Sequence, residues 1–320
     1  MNAHRRLCYW KLKNRELQLG NRTLIAGVLN VTPDSFSDAG RHLDPDRAFA
    51  RAIEMEEQGA DIIDIGAEST RPGSKPIEAA EELRRLVPVL KRLKNSLGIP
   101  ISVDTYKAEV AEKALEHGAE IINDPSGLTL DPQLARTVAN HGAGLILNHM
   151  RGRPETWAKQ PPLPDVMNTI VRDLDATAHR ARGAGVERGR IVVDPGIGFG
   201  KRKEQNSEIL ARLDQLAKLD LPIFVGVSRK SFLAQKTPLE TLYATAAAVT
   251  ASILGGAHIV RVHDVVEMRA AAAMADEILR GVARVEPEEE EEKKPKAPPP
   301  REQRAGGPLQ RPRPKVGPPG

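Results

Sequence analysis

Short runs rich in Val and Ile recur along the chain, each followed by a longer stretch whose apolar residues have helical spacing. The runs are TLIAGVLN (23–30), DIIDIGA (61–67), PISVD (100–104), AEIIND (119–124), GLILNH (144–149), RIVVD (190–194), PIFVGVS (222–228) and AHIVRVH (257–263). Near-continuous apolar character suits strands covered on both faces. Between them, periodicity predicts helices over 44–58, 77–94, 107–117, 132–141, 166–184, 205–216, 242–254 and 265–283. At the first of these, Asp44 and Pro45 supply a capping side chain and a first-turn proline. Eight strand–helix repeats predict an α/β fold, a single-domain (β/α)8 TIM barrel. A doubly wound open sheet would usually carry a Gly-rich fingerprint after its first strand, and here that place holds LNVTPDSF.

The polar positions add a second pattern. Strand after strand ends in a residue able to hydrogen-bond or carry charge: Asn30, Glu68 to Arg71, Asp104, Asn123 with Asp124, Asn148 with His149, Asp194, Ser228 to Ser231, and Arg261 with His263. A single polar strand end is as often a turn former or a helix cap as a site residue. A full series is a different matter, because all strand ends of a parallel barrel lie on the face where such enzymes bind substrates.

Composition narrows the class. The stretch from Glu286 onward, EPEEEEEKKPKAPPPREQRAGGPLQRPRPKVGPPG, has Leu309 and Val316 as its only large apolar residues. It cannot bury enough surface to offset the entropy of ordering it, so 285–320 is expected to be a disordered Pro-rich and charged tail. The expected organisation is an N-terminal segment (1–22), a barrel (23–284) and that tail. One cysteine, Cys8, excludes an intrachain disulfide and a Cys-based zinc site. No signal-peptide core and no long apolar run is present, which leads us to expect a cytoplasmic protein without membrane association. A net charge of +4 and ten aromatic residues give little support to a nucleic-acid surface.

The ring of strand ends divides by charge. SRKS (228–231) follows the seventh strand and RVHD (261–264) ends the eighth, where barrel enzymes often hold phosphate. Arg261 and His263 are two apart, so both side chains project from one side of the strand and could grip a phosphate or pyrophosphate. The bland reading of these cations is ion pairing with acids on nearby helices. Asp104, Asp124 and Asp194 end three other strands, and with Asn123 they suit a ligand with many N–H donors, such as a pterin or purine. A carboxylate metal cage competes with that reading, but no loop gathers several acids; magnesium held mainly by phosphate oxygens plus one protein oxygen, Asn30, fits better. DPGIGFGK (194–201) matches neither nucleotide-loop pattern; its glycines suit a tight turn giving access to Asp194, with Phe199 as a stacking face.

Taken together, GVLNVTPDSFSDAG, DIGAESTRPGS, ISVDT, IINDPSG, NHMRG, VDPGIGFGK, VGVSRKSF and IVRVHDV closely resemble the dihydropteroate synthase family, pterin-binding barrel enzymes of folate biosynthesis. The resemblance runs from about residue 24 to 283 in the family's order. It implies a transferase that joins 4-aminobenzoate to 6-hydroxymethyl-7,8-dihydropterin diphosphate, releasing 7,8-dihydropteroate and pyrophosphate, with Mg2+. Matching motifs imply that Asp104, Asn123, Asp194 and Lys230 hold the pterin. They imply Asn30, Arg261 and His263 at the diphosphate and its metal, and Thr70, Arg71, Pro72 and Ser231 around the aminobenzoate. Phe36 and Asp38 would lie on a closing loop, and Asp104, Lys230 and Arg261 would carry the catalysis. A homodimer and sensitivity to sulfonamides, which mimic aminobenzoate, are also implied. Two positions depart from the family's pattern: Pro125, where an apolar residue with a backbone N–H is usual, and Asn148, where Met is usual.

Two other readings stay in view. A pterin-dependent methyltransferase domain shares this barrel but handles no diphosphate, which would leave SRKS and RVHD without a purpose. A binding scaffold that recruits a partner through its tail would need that tail for its role, whereas the enzyme would not.

Overall fold

The computed structural model describes residues 5–32, 44–69 and 73–291, with side chains as far as Gly281, together with Gly317 and Gly320. Two short strands come first, β1 (Cys8–Lys11) and β2 (Glu16–Leu19), paired antiparallel. The eight barrel strands follow: β3 (Leu24–Asn30), β4 (Ile62–Gly66), β5 (Ile101–Asp104), β6 (Ile121–Asp124), β7 (Gly144–Asn148), β8 (Ile191–Asp194), β9 (Phe224–Gly226) and β10 (Ile259–Val262). All eight run parallel in the order β8-β7-β6-β5-β4-β3-β10-β9. A parallel bridge between Val193 and Ile223 joins the two ends, so the sheet closes.

The eight expected helices are α1 (Pro45–Glu57), α2 (Ala79–Leu93), α3 (Ala108–Glu116), α4 (Leu134–His141), α5 (Val166–Gly183), α6 (Lys203–Ala211), α7 (Pro238–Leu254) and α8 (Val265–Glu291). Asp44 caps α1 by accepting from the backbone N–H of Asp46 at 2.9 Å and Arg47 at 3.3 Å, and Pro45 opens the helix. α7 begins four residues before the periodicity shows it, at Pro238 rather than Leu242, because Thr237 and Glu240 form a reciprocal capping box. α8 continues to Glu291; the expected tail beyond it is outside the described residues except for two glycines.

Alternation along each strand divides the core. Ile25, Leu29, Ile63, Ile65, Val103 and Val193 face the helices, while Leu24, Ala26, Ile62, Ile121, Ile146 and Val192 face the barrel axis. The N-terminal hairpin caps the inward set from below. Trp10, Leu12 and Leu19 pack into that axial cluster, and Trp10 Nε1 donates to the Arg190 carbonyl at 2.8 Å. Gly144 makes room for them: a Cβ there would lie 2.6 Å from Leu12 and 3.0 Å from Trp10. With one mouth plugged by apolar side chains, ligands have the other, where the strands end.

Candidate active site

The last inward position of each strand forms the upper layer of the barrel. Register pairs Asn30 with Gly66, Gly66 with Asp104, and Asp104 with Asn123; further round, Asn148 pairs with Asp194. Gly66 lacks a side chain, and a Cβ placed there would have Asn30 Oδ1 and Asp104 Oδ2 each at 3.8 Å. The amide oxygen of Asn30 and the carboxylate of Asp104 therefore share one side of the mouth.

Arg261 enters this layer from β10. Its Nη2 donates to Asp104 Oδ2 at 3.0 Å and its Nε to Asp64 Oδ2 at 2.5 Å. Asp64 also accepts from Asn123 Nδ2 at 3.3 Å, and its Oδ1 has no partner among the described residues. Asp64 is a site residue that the strand-end pattern missed. It sits mid-strand in DIIDIG, fully buried, and its signal was an acid inside an apolar run, which is costly unless paired.

Burial pushes the Asp104 carboxyl up to about 7, against the pull of Arg261 and with a further push from Asp64. It raises Asp194 to about 6, although the Gly196 N–H, donating to Oδ1 at 2.7 Å, and the charge of Lys230 work the other way. Lys230 is lowered to about 8 by burial and by Arg261, with Asp194 and Asp104 opposing. Its ammonium lies 4.3 Å from the centroid of the Phe199 ring, and Phe199 meets Trp157 edge-on at 5.2 Å. Acids, an amide and a lysine thus converge beside an aromatic face. A small cavity of about 20 Å³ opens on the same mouth, lined in part by Glu68, Tyr106, Pro125, Met150, Trp157 and Phe199.

His263 follows β10. Its backbone N–H donates to Ser228 Oγ at 3.2 Å, and its Nδ1 lies 3.0 Å from the same oxygen. The Ser228 hydroxyl thus engages both the backbone and the Nδ1 edge of His263 and fixes the orientation of the ring. Burial, then the charges of Arg261 and Arg229, drop this imidazole to about 3. His263 is therefore a neutral imidazole, not the cation its place beside Arg261 suggested.

Other strand-end residues brace loops. Asp124 faces away from the axis, one residue after inward Asn123, and accepts from Ser126 N and Oγ at 2.8 Å and from Leu128 N at 2.6 Å. It shapes its own turn, which corrects its place in the acid ring. Glu68 takes Lys107 Nζ at 2.5 Å, shared with buried Glu82 at 2.5 Å. Arg229 pairs with Asp264 on the surface, so the bland reading holds for that cation and fails for Arg261. Ser231 opens a short 3-10 turn (Ser231–Leu233) next to Lys230, with its side chain exposed. Asn148 and Pro125, the two departures from the family's pattern, touch each other: Asn148 Nδ2 donates to the Pro125 carbonyl at 2.6 Å. Phe36, Asp38, Thr70, Arg71 and Pro72 lie outside the described residues.

A closed parallel barrel with acids, amides and cations gathered at its C-terminal mouth defines a TIM-barrel enzyme site for a polar heterocycle with an anionic appendage. The family described as "Pterin binding enzyme" matches residues 26–263, and the chain belongs to that family. It is 43% identical over 265 residues to a dihydropteroate synthase of Synechocystis sp., covering 82% of this chain and 92% of that one. A crystal structure of dihydropteroate synthase from Clostridium difficile with pteroic acid superposes with a TM-score of 0.77 at 45% identity, covering 82% of this chain and 98% of that one. The Xanthomonas albilineans enzyme with 4-aminobenzoic acid gives 0.76 at 36% identity, covering 87% and 99%.

Proposed function

We propose that the chain catalyses the condensation of 4-aminobenzoate with 6-hydroxymethyl-7,8-dihydropterin diphosphate to 7,8-dihydropteroate and pyrophosphate, a transferase step of folate biosynthesis. The observation that carries this reading is the junction of two chemistries at one mouth. Asp104, Asn123, Asp194 and Lys230 offer acceptors and donors for a ring rich in N–H groups, while Arg261 and His263 stand beside them with donors for an anion. A methyl-transfer reading would leave the second set idle.

The reaction forms a C–N bond from the amine of 4-aminobenzoate to the exocyclic methylene of the pterin. The C–O bond to the diphosphate breaks, its electron pair leaves with pyrophosphate, and the amine loses a proton. Positive charge at the methylene is stabilised by ionised Asp104 and Asp194, negative charge on the leaving group by Arg261 and an N–H of the neutral His263 ring. One such placed donor is worth about 3 kcal/mol, or on the order of 10²–10³ in rate. Arg261 is tied to Asp104 before substrate arrives, so an incoming diphosphate competes for its guanidinium and frees the Asp104 carboxylate for the ring. Thr70, Arg71, Pro72 and Ser231 are assigned to aminobenzoate, and Phe36 and Asp38 to the closing loop, on the motif match.

Magnesium fits as an ion held mostly by the substrate's phosphates. Asn30 Oδ1 faces the mouth beside Asp104, and among the described residues no group of three or more His, Cys, Asp or Glu forms a cage. When bound it would neutralise charge on the diphosphate. A homodimer is supported by exposed apolar stripes at fourfold spacing: Leu239 and Tyr243 on α7, and Val266, Met274 and Ile278 on α8, exposed by 41–64%. No helix among the described residues is long and apolar enough to cross a membrane. A cytoplasmic location suits an enzyme whose diphosphorylated substrate cannot cross a bilayer unaided.

The test is turnover. Incubation with both substrates and Mg2+ should yield dihydropteroate, and Asp104→Asn or Lys230→Ala should abolish it while circular dichroism stays unchanged. Full activity in either variant, or no product from the native chain, refutes the proposal.

A further inference from the structure

Lys201 ends the GFGK run, and neither the fold nor the proposed chemistry has used it. It is a buried lysine, 8% exposed, with no acid in hydrogen-bond contact among the described residues. Its ammonium donates to three backbone carbonyls, those of His149 at 2.5 Å, Pro195 at 2.9 Å and Gly196 at 2.7 Å. Burial pulls its proton affinity well below the usual lysine value, with Asp194 opposing. Three acceptors nevertheless require three N–H donors, which only the ammonium has; a neutral amine would turn its lone pair on a carbonyl.

The carbonyls it holds surround Asp194. The Pro195 carbonyl belongs to the same peptide plane whose N–H, on Gly196, donates to Asp194 Oδ1 at 2.7 Å. His149, whose carbonyl is another acceptor, donates its own N–H to the Asp194 carbonyl at 2.9 Å. Gly196 has φ +70°, and a Cβ there would lie 2.0 Å from the His149 oxygen, 2.8 Å from Lys201 Nζ and 2.9 Å from Asn148 Oδ1. The turn is packed so closely that only glycine fits. A cation on the oxygen of a peptide also polarises its N–H into a stronger donor.

We infer that Lys201 is a positioning residue for the pterin site, holding the Pro195–Gly196 peptide so that its N–H fixes the Asp194 carboxylate toward the bound heterocycle. The inference rests on the role proposed above for Asp194. Lys230 and Arg261 also act on that carboxylate, while Arg151, Asp173 and His149 are the other titratable and charged groups coupled to Lys201. Among the described residues, Lys201 alone reaches Asp194 through a shared peptide.

The experiment compares Lys201→Met, Lys201→Arg and Asp194→Asn by steady-state kinetics across pH. Lys201→Met should raise KM for the pterin diphosphate at least about tenfold, the cost of one misplaced charge-assisted hydrogen bond, and leave KM for aminobenzoate within about twofold. Its acid limb in kcat/KM should move upward, because a cation near Asp194 is gone, and Lys201→Arg should bring the limb back. Equal changes in both KM values with an unmoved limb would overturn the inference, leaving Lys201 a purely structural residue. Should Lys201→Met fail to fold, Lys201→Gln keeps donors for the carbonyls without the charge, and an unmoved limb there overturns the inference equally. Asp194→Asn separates the two levels. If it leaves the pterin KM unchanged, the role of Asp194 falls; if it raises that KM and Lys201→Met does not, only the inference about Lys201 falls.

Discussion

Asp194→Asn should make the protein more stable and less active, with a pH dependence that identifies the cause. Burial lifts the Asp194 carboxyl from its ordinary 3.8 to about 6, despite the Gly196 N–H and the charges of Lys230, Lys201 and Arg261. Its folded value lies above its unfolded one, so the contribution to stability is complete below the unfolded value and is lost as pH rises through about 6. A rise of about two pH units, at 1.36 kcal/mol each, makes the native protein about 3 kcal/mol less stable near pH 7 than it would be with this group uncharged. The amide oxygen of Asn can still accept the Gly196 N–H, so the turn survives. Urea titrations at pH 4 and pH 7 give the assay: the difference between variant and native protein should grow by about 2 kcal/mol toward stabilisation over that interval, the rest of the effect lying below pH 4. Turnover should fall by on the order of 10²-fold, as expected for one lost electrostatic stabiliser. A stability difference that stays constant from pH 4 to 7 would refute the reasoning, since it would mean that ionising Asp194 costs the fold nothing.

Three further outcomes follow from the same geometry. The pH profile of kcat/KM for the pterin diphosphate should be bell-shaped, rising as Asp194 and Asp104 ionise near 6 and 7 and falling as Lys230 loses its proton near 8; a flat profile across that range contradicts the assigned charge states. Arg261→Met strands Asp64 and Asp104 without their shared cation and should cost about 3–5 kcal/mol in a denaturant titration at pH 8, while Arg261→Lys should not restore activity because an ammonium lacks the planar fork that spans both acids. Trp10→Ala should cost about 3–5 kcal/mol of stability by emptying the barrel floor, yet leave both KM values unchanged because the hairpin is at the mouth opposite the site; altered KM values would place the hairpin in catalysis.

The barrel was legible because eight apolar runs each end on a polar residue, and both facts follow from strands buried on two faces and open at one end. The direction of those polar ends was less legible. Asn123 and Asp124 are adjacent, so the two-residue period of a strand sends one inward and the other outward, and only the hydrogen bonds of Asp124 to its own turn show which. Asp64 escaped notice for the opposite reason: it lies one layer below the strand ends, inside a run read as uniformly apolar. The floor of the barrel had a signal too. Trp10 with Leu12 and Leu17 with Leu19 alternate as short strands do, but four-residue strands carry little pattern on their own. The capping box at Thr237 and Glu240 is a local signal that marks the start of α7 ahead of its apolar periodicity. Lys201 could not be assigned from its type at all, since its partners are backbone carbonyls, which sequence does not distinguish.

The central claim is that one mouth separates charge, with acids under a heterocycle and Arg261 with His263 at its anionic end. A crystal structure with 6-hydroxymethyl-7,8-dihydropterin diphosphate and Mg2+ tests it most directly. The account predicts ring nitrogens within hydrogen-bond distance of Asp104, Asn123 and Asp194, and phosphate oxygens on Arg261, which will have let go of Asp104. A ligand bound in the reverse orientation, or an Arg261 still paired with Asp104 beside an occupied site, would contradict it.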